Sequence, residues 1–498
     1  MKRCSLYWGE MLKNFFRGGF GERLAKYFPY LAGLGAGLML LSLRLRFLDY
    51  FIPTTWHGRM GFDFFSVPRS FLNLLHGESI YNTRLLDYGP YSTWFPYHPA
   101  VSVYIGSCLS LFKPWTAFAV FAVFSIVLLW WCARLAMAHA AGRTEKLFVP
   151  VLFFCSLPVY LMVWNGQMHV LLVLAFAFIL HDLFSLAEKP DEGNRLRPWL
   201  MAGILLSLLS KPLILLALPA LFALPRLRRT VIWSCVAYAL VSFVFLSVPF
   251  LNPKPAGLEN IADVIAHPKH MLRMEIYRGV PVISYRPEIL SDNAIHWLNM
   301  RTRGSVPGAN HFEFMSAPAY LSHIFGAKVP DKIFKLPVLL LMLFSAAAFF
   351  VKDMARRRLL VITLAVTAMH LFYISYDTVY EYHYAAIVPA VAFMLVSYCA
   401  GLWGRFGKPV ALFCASAALL LAPTSYFWVR NPAFGYHTAN MAALPDIYVS
   451  IIPSNMPYDY CITLIRSMRV LPALAMYGAL VWLAVLLLAG GRRQYDQN

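Results

Sequence analysis

Apolar residues run unbroken for about 16–25 positions at a time, the length a helix rising about 1.5 Å per residue needs to cross a hydrocarbon core of about 30 Å. This pattern predicts about 12 spans, at 29–48, 97–113, 115–138, 147–163, 167–187, 199–224, 230–250, 333–351, 358–376, 384–402, 409–428 and 470–489. The fold class that follows is an all-α polytopic membrane protein with long outer-face loops. Residues 1–28, with Lys2, Arg3, Lys13, Arg17, Arg23 and Lys26, read as a basic amphipathic cytoplasmic segment before an uncleaved signal-anchor. Residues 29–250 then form one membrane module, 251–332 a partly helical outer cap, and 333–498 a second module.

With the start inside, alternation puts Arg226/Arg228/Arg229, Lys352/Arg356/Arg357/Arg358, Arg405/Lys408 and Arg492/Arg493 on the cytoplasmic side, as the positive-inside rule requires. The connections 49–96, 251–332 and 429–469 then face outward, and each is far longer than an ordinary loop. Stretch 97–187 fits less well. Alternation there places Arg134, Arg143 and Lys146 outside, and Pro150 and Pro158 shorten or bend a span, so a re-entrant or broken hairpin stays open.

Composition narrows the function. Of 498 residues 59% are hydrophobic, against the roughly 45–50% of a soluble domain, which excludes soluble and disordered classes. Lys plus Arg is 43 and Asp plus Glu is 24, a net charge of +19. In a soluble chain that surplus would point to nucleic acid; here topology accounts for it. There is no CxxC, no Cys/His zinc spacing, no GxGxxG and no P-loop, so no nucleotide or resident cofactor is expected, with a divalent metal left open.

Chemistry enters at a few costly polar residues. Asp63 sits among aromatics in Gly61-Phe62-Asp63-Phe64-Phe65, just beyond the first span. It reads either as the cap of a helix over 64–76 or as a carboxylate base at the outer leaflet. Lys211, between Ser210 and Pro212 inside an apolar run, costs about 2.5–3.5 kcal/mol on insertion scales. It either pairs internally or contacts a phosphate. Arg44 and Arg46 end the first span, where they snorkel to headgroups or take an anionic ligand. Asn165-Gly166-Gln167 is a turn between spans or part of a ligand groove, and His169 and His181 read as packing or headgroup contacts.

The order of motifs adds a family. Asp63-Phe64, Leu75-His76-Gly77-Glu78-Ser79-Ile80-Tyr81, Phe95-Pro96-Tyr97-His98-Pro99, Asn165-Gly166-Gln167, Ser210-Lys211-Pro212 and Tyr380-Glu381-Tyr382-His383-Tyr384 together resemble glycosyltransferase family 87. His98 stands where that family usually has a second Pro, and Glu381-Tyr382-His383 replaces an acidic residue followed by two His. The resemblance implies a C-type membrane glycosyltransferase of the bacterial plasma membrane and cell envelope, with its site on the outer face. It implies a polyprenyl-phosphate-linked sugar donor, a lipid or glycan acceptor, and transfer of a hexose, mannose by family lean, with inversion to an α-linkage. Asp63 is then the catalytic base. Lys211, His383, Arg44 and Arg46 become donor-phosphate contacts, and Tyr97, His98, Asn165, Gln167 and Glu381 substrate contacts. A transporter or lipid flippase, and an O-antigen ligase or polymerase, are the alternatives.

Overall fold

A computed structural model describes residues 19–45, 60–77, 80, 88–90, 95, 97–189, 196–247, 272–277, 280–285, 316–325, 329–376, 379–422 and 458–490. Within the described residues each apolar stretch expected to span is helical over most of its length, from Phe28–Leu45 to Tyr458–Ala489. Among the described residues eight helices are long and apolar enough to cross a membrane, and nine if the pair Arg143–Phe154 and Leu157–Asn165, bent by 44°, is one span. The architecture is that of a polytopic membrane protein. Among the described residues the expected count of about 12 is not reached, because Pro99–Ser110, Pro198–Ser210, Pro212–Phe222 and Lys335–Ala348 are too short to qualify.

The fold is helical, with one short β-hairpin among the described residues. Leu272–Tyr277 and Val280–Tyr285 form an antiparallel hairpin with Leu272 opposite Tyr285. The period-two alternation of Leu272, Met274 and Ile276, and the β-branched Val280, Val282 and Ile283 across a two-residue Arg278-Gly279 connection, suit strands rather than a helix. The rest of 251–315, with His267, His270, Arg278 and Arg286, lies outside the described residues, as do Arg46, most of the first long loop and 423–457.

Contacts decide which ends of the helices share a face. Phe64 packs edge-on against Phe118 at 5.4 Å and Phe65 against Trp115 at 5.2 Å, so Pro114–Met137 starts on the Asp63 face. Helix Pro99–Ser110 begins and ends on that same face. Ser70 Oγ donates to Ser102 Oγ at 2.6 Å, and the Tyr88 hydroxyl donates to the carbonyls of Leu109 and Phe112. The helix therefore lies against the segment that follows Asp63 instead of crossing. Pro114–Met137 then runs to the opposite face, where His139 Nδ1 meets Glu188 at 3.0 Å. Arg134, Arg143 and Lys146 accordingly sit on the opposite face, not with Asp63 as simple alternation places them.

A second apolar stretch also fails to cross. Arg197 N donates to Thr230 Oγ1 at 3.2 Å, and its guanidinium lies 3.6 Å from the Asp182 carboxylate, which fixes the start of Pro198–Ser210 on the opposite face. The chain rises to Lys211, turns, and returns, because the Ala223 carbonyl accepts from Arg357. Pro212 enforces the turn: it has no N–H to continue the helix, and Lys211 is extended at φ −134° and ψ 119°. The two non-crossing stretches cancel in the alternation. Arg357, Arg405 and the end of the last helix therefore share one face, with Arg405 donating to the Gly490 carbonyl.

Candidate active site

Two glycine turns press together to build the site. Gly61 has φ +74° and Gly166 φ +70°, the left-handed region where a side chain is strained. Gly166 ends the helix Leu157–Asn165, and a Cβ on it would lie 2.4 Å from the Cβ of Phe64. Backbone bonds lock the two turns, Gly61 N to the Trp164 carbonyl at 2.9 Å and Asp63 N to the Asn165 carbonyl at 3.2 Å. Phe64 and Phe65, both fully buried, anchor one side of this joint.

The joint fixes the Asp63 carboxylate. Its Oδ2 accepts from Asn165 Nδ2 at 2.6 Å and from Gln167 Nε2, while Oδ1 takes no hydrogen bond among the described residues. The capping alternative is overturned. The helix is Ser66–Leu75, its N-cap is Phe65 with no side-chain cap, and Ser66 Oγ bonds only the Asp63 carbonyl. Burial pushes the Asp63 carboxyl up to about 6, against the hydrogen bonds of Asn165 and Gln167 and the charge of Lys211, which pull it down. Such a carboxylate is a stronger base than an exposed one and is still ionised at neutral pH.

A second group stands beside it. Gln167 Oε1 accepts from the Tyr97 hydroxyl and faces His169 Nδ1, both at 3.1 Å. His169 packs against His383 with centroids 4.5 Å apart, and His383 Nε2 lies 3.2 Å from Lys211 Nζ. Lys211 reaches this position from the break in its helix, where the Lys211 carbonyl is bonded by Ser207 Oγ and Leu213 N, and its ammonium also lies 4.5 Å from the Phe372 ring. His383 sits in the 3-10 helix Glu381–Ile387, and its Nδ1 accepts from the Tyr380 N–H at 3.0 Å. In a neutral ring its Nε2 then carries the hydrogen, so it and the Lys211 ammonium are two donors converging on one point. An anion oxygen seated in front of the pair would accept from both.

Asp63, Tyr97, Asn165, Gln167, Lys211 and His383 thus come together, and three expected residues do not join them. Glu381 is committed to Arg469 of the last helix, which donates Nε at 2.6 Å to the Glu381 carboxylate and Nη1 to the carbonyls of Leu420 and Ala422. Both side chains are buried, and the 3-10 geometry turns Glu381 toward the last helix while His383 faces Lys211. His98 caps Pro99–Val101 through Nδ1 and ties its own N–H to the Leu209 carbonyl that the Lys211 break leaves open, so it braces the site without entering it. Arg44 is exposed at the end of Phe28–Leu45.

Two residues of these networks carry no functional signal in the local sequence. From sequence His169 reads as a packing or headgroup contact, though its place two residues after Gln167, at a left-handed turn, puts both side chains on one helix start. Arg469 lies far from Glu381 along the chain, and nothing local pairs them. Among the described residues no group of three or more His, Cys, Asp or Glu gathers as metal ligands would.

A carboxylate, two converging donors and two broken helices thus meet at one end of the helical bundle. The family model described as Glycosyltransferase family 87 matches residues 95–281 of the chain. The match takes in Tyr97, Asn165, Gln167, His169 and Lys211; Asp63 precedes it and His383 follows it. No curated protein and no solved structure matches the chain.

Proposed function

We propose that the protein transfers a hexose, mannose by family lean, from a polyprenyl phosphate to a lipid or glycan acceptor, with inversion. The observation that carries this reading is the division of the site into a base and a two-donor seat. Asp63 Oδ1 takes the proton of the acceptor hydroxyl while the acceptor oxygen bonds to the anomeric carbon. The bond from that carbon to the phosphate oxygen breaks, and the phosphate keeps the electron pair. A phosphate monoester leaves without full protonation, so Lys211 and the His383 Nε2–H need only stabilise its charge. A β-linked donor gives an α-product by this displacement.

The basic residues Arg134, Arg143, Lys146, Arg226, Arg228, Arg357 and Arg405 gather away from Asp63. By the positive-inside rule that face is cytoplasmic, and the site then opens to the outer leaflet, where a lipid-linked donor supplies sugar without a nucleotide. The test is transfer by purified protein to membrane acceptors from lipid-linked and nucleotide-linked mannose in turn. Transfer from the lipid donor is expected; transfer from the nucleotide sugar alone overturns the reading.

A further inference from the structure

His169 has its tautomer fixed by Gln167. The Gln167 Nε2 group donates to the Asp63 carboxylate, which has no hydrogen to give when ionised. The other end of the same amide, Oε1, is therefore an acceptor, and it faces His169 Nδ1 at 3.1 Å. That nitrogen must carry the hydrogen, so in the neutral ring Nε2 presents a bare lone pair. The ring stands at the N-terminus of His169–Glu188, an unfavourable place for a second positive charge beside Lys211. His169 is 3% exposed, and its Nε2 has no hydrogen-bond partner among the described residues. A buried acceptor left this way is destabilising unless a ligand supplies a donor.

His383 carries the opposite tautomer, with Nδ1 filled by the Tyr380 N–H and the hydrogen on Nε2. Two imidazoles whose centroids are 4.5 Å apart therefore offer different things, one an acceptor and the other a donor. His169 is also the side chain that joins the two halves of the site: it bonds Gln167, which holds the base, and packs on His383, which faces Lys211. In a displacement at the anomeric carbon the sugar ring lies between base and departing phosphate, which is beside His169.

We infer that His169 Nε2 accepts a hydrogen bond from one hydroxyl of the transferred sugar and so selects the hexose. This rests on the lipid-linked donor proposed above. A lone pair can only accept, so it favours a sugar with a hydroxyl at the contacted position over one that is deoxygenated or O-methylated there.

The experiment uses full-length protein in lipid nanodiscs and measures binding of short-chain polyprenyl-phosphate mannose and of its mono-deoxy counterparts, one for each ring hydroxyl. Wild type should bind one deoxy donor about 10-fold more weakly than the parent. His169→Leu should bind that deoxy donor and the parent alike, and His169→Gln, whose amide keeps an acceptor, should retain part of the preference. Equal binding of the parent and every deoxy donor by wild type overturns the inference and needs no variant to fold. So does a preference that survives unchanged in His169→Leu. Wild type that binds a nucleotide sugar and not the parent lipid donor overturns instead the reading of function beneath it.

Discussion

Gln167 holds Asp63 with one end of its amide and His169 with the other, so the charge on the carboxylate decides which way the amide points and which nitrogen of the imidazole carries hydrogen. A change at Asp63 is therefore felt both at the base and at the neighbouring ring, and the two effects separate by pH and by substitution.

Asp63→Asn keeps the size of the side chain and removes its basicity. Transfer should fall by about 10²–10⁴-fold with donor binding preserved. Steady-state kinetics on correctly inserted protein checks this, and near-wild-type turnover would remove Asp63 from the mechanism.

The Asp63 pKa, raised by burial from the ordinary 3.8 to about 6, gives both activity and stability a pH dependence. The ionised form is the base, so kcat/KM should fall as pH drops through about 6. For stability the sign is opposite to that of a salt-bridged carboxylate. The folded state holds the proton more tightly, so wild type loses stability as pH rises from 3.8 toward 6, and no more above that. Asp63→Asn should be no less stable than wild type at neutral pH, with an advantage that shrinks in acid. Melting in detergent across this range is the check; a variant that loses stability at neutral pH would contradict it.

Lys211→Met keeps the aliphatic stem and deletes the ammonium. Donor affinity should weaken by roughly 10-fold or more, the worth of a hydrogen bond to a charged group, with melting little changed. A protein that melts early and binds donor normally would assign Lys211 to structure alone.

Gly166→Ala tests the joint between the two turns. The new methyl meets the Phe64 Cβ at 2.4 Å on a left-handed residue, adding overpacking of about 1–3 kcal/mol to left-handed strain of about 1–2 kcal/mol. Stability and turnover should drop together. Gly33→Ala, in a helix where nothing lies within 4 Å, should be silent in both.

Arg469→Met leaves Glu381 charged and buried without its partner, a loss of about 3–5 kcal/mol by the usual cost of breaking such a pair. Melting should collapse in Arg469→Met and recover in part when Glu381→Gln is added. A stable single variant with lost turnover would instead put the pair in the chemistry.

The hydrophobic pattern alone determined that the chain is a helical membrane protein and where its helices lie, since apolar length is a property of the local sequence. It also marked Asp63, Lys211 and His383, because a charge or imidazole in an apolar run stands out against its neighbours. The number of crossings was beyond it. Pro99–Ser110 and the two arms around Lys211 are as apolar as true spans, and only their packing on Ser66–Leu75 and near Thr230 shows that they stay on one face.

Partners were beyond it too. Glu381 looked as available as Asp63 until Arg469, 88 positions away, closed on it, and His169 looked like packing until the turn at Gly166 set it against Gln167. Periodicity reports how a residue relates to its own helix. Which polar groups meet across helices is set by where the chain turns back, and that is decided only when the tertiary structure forms.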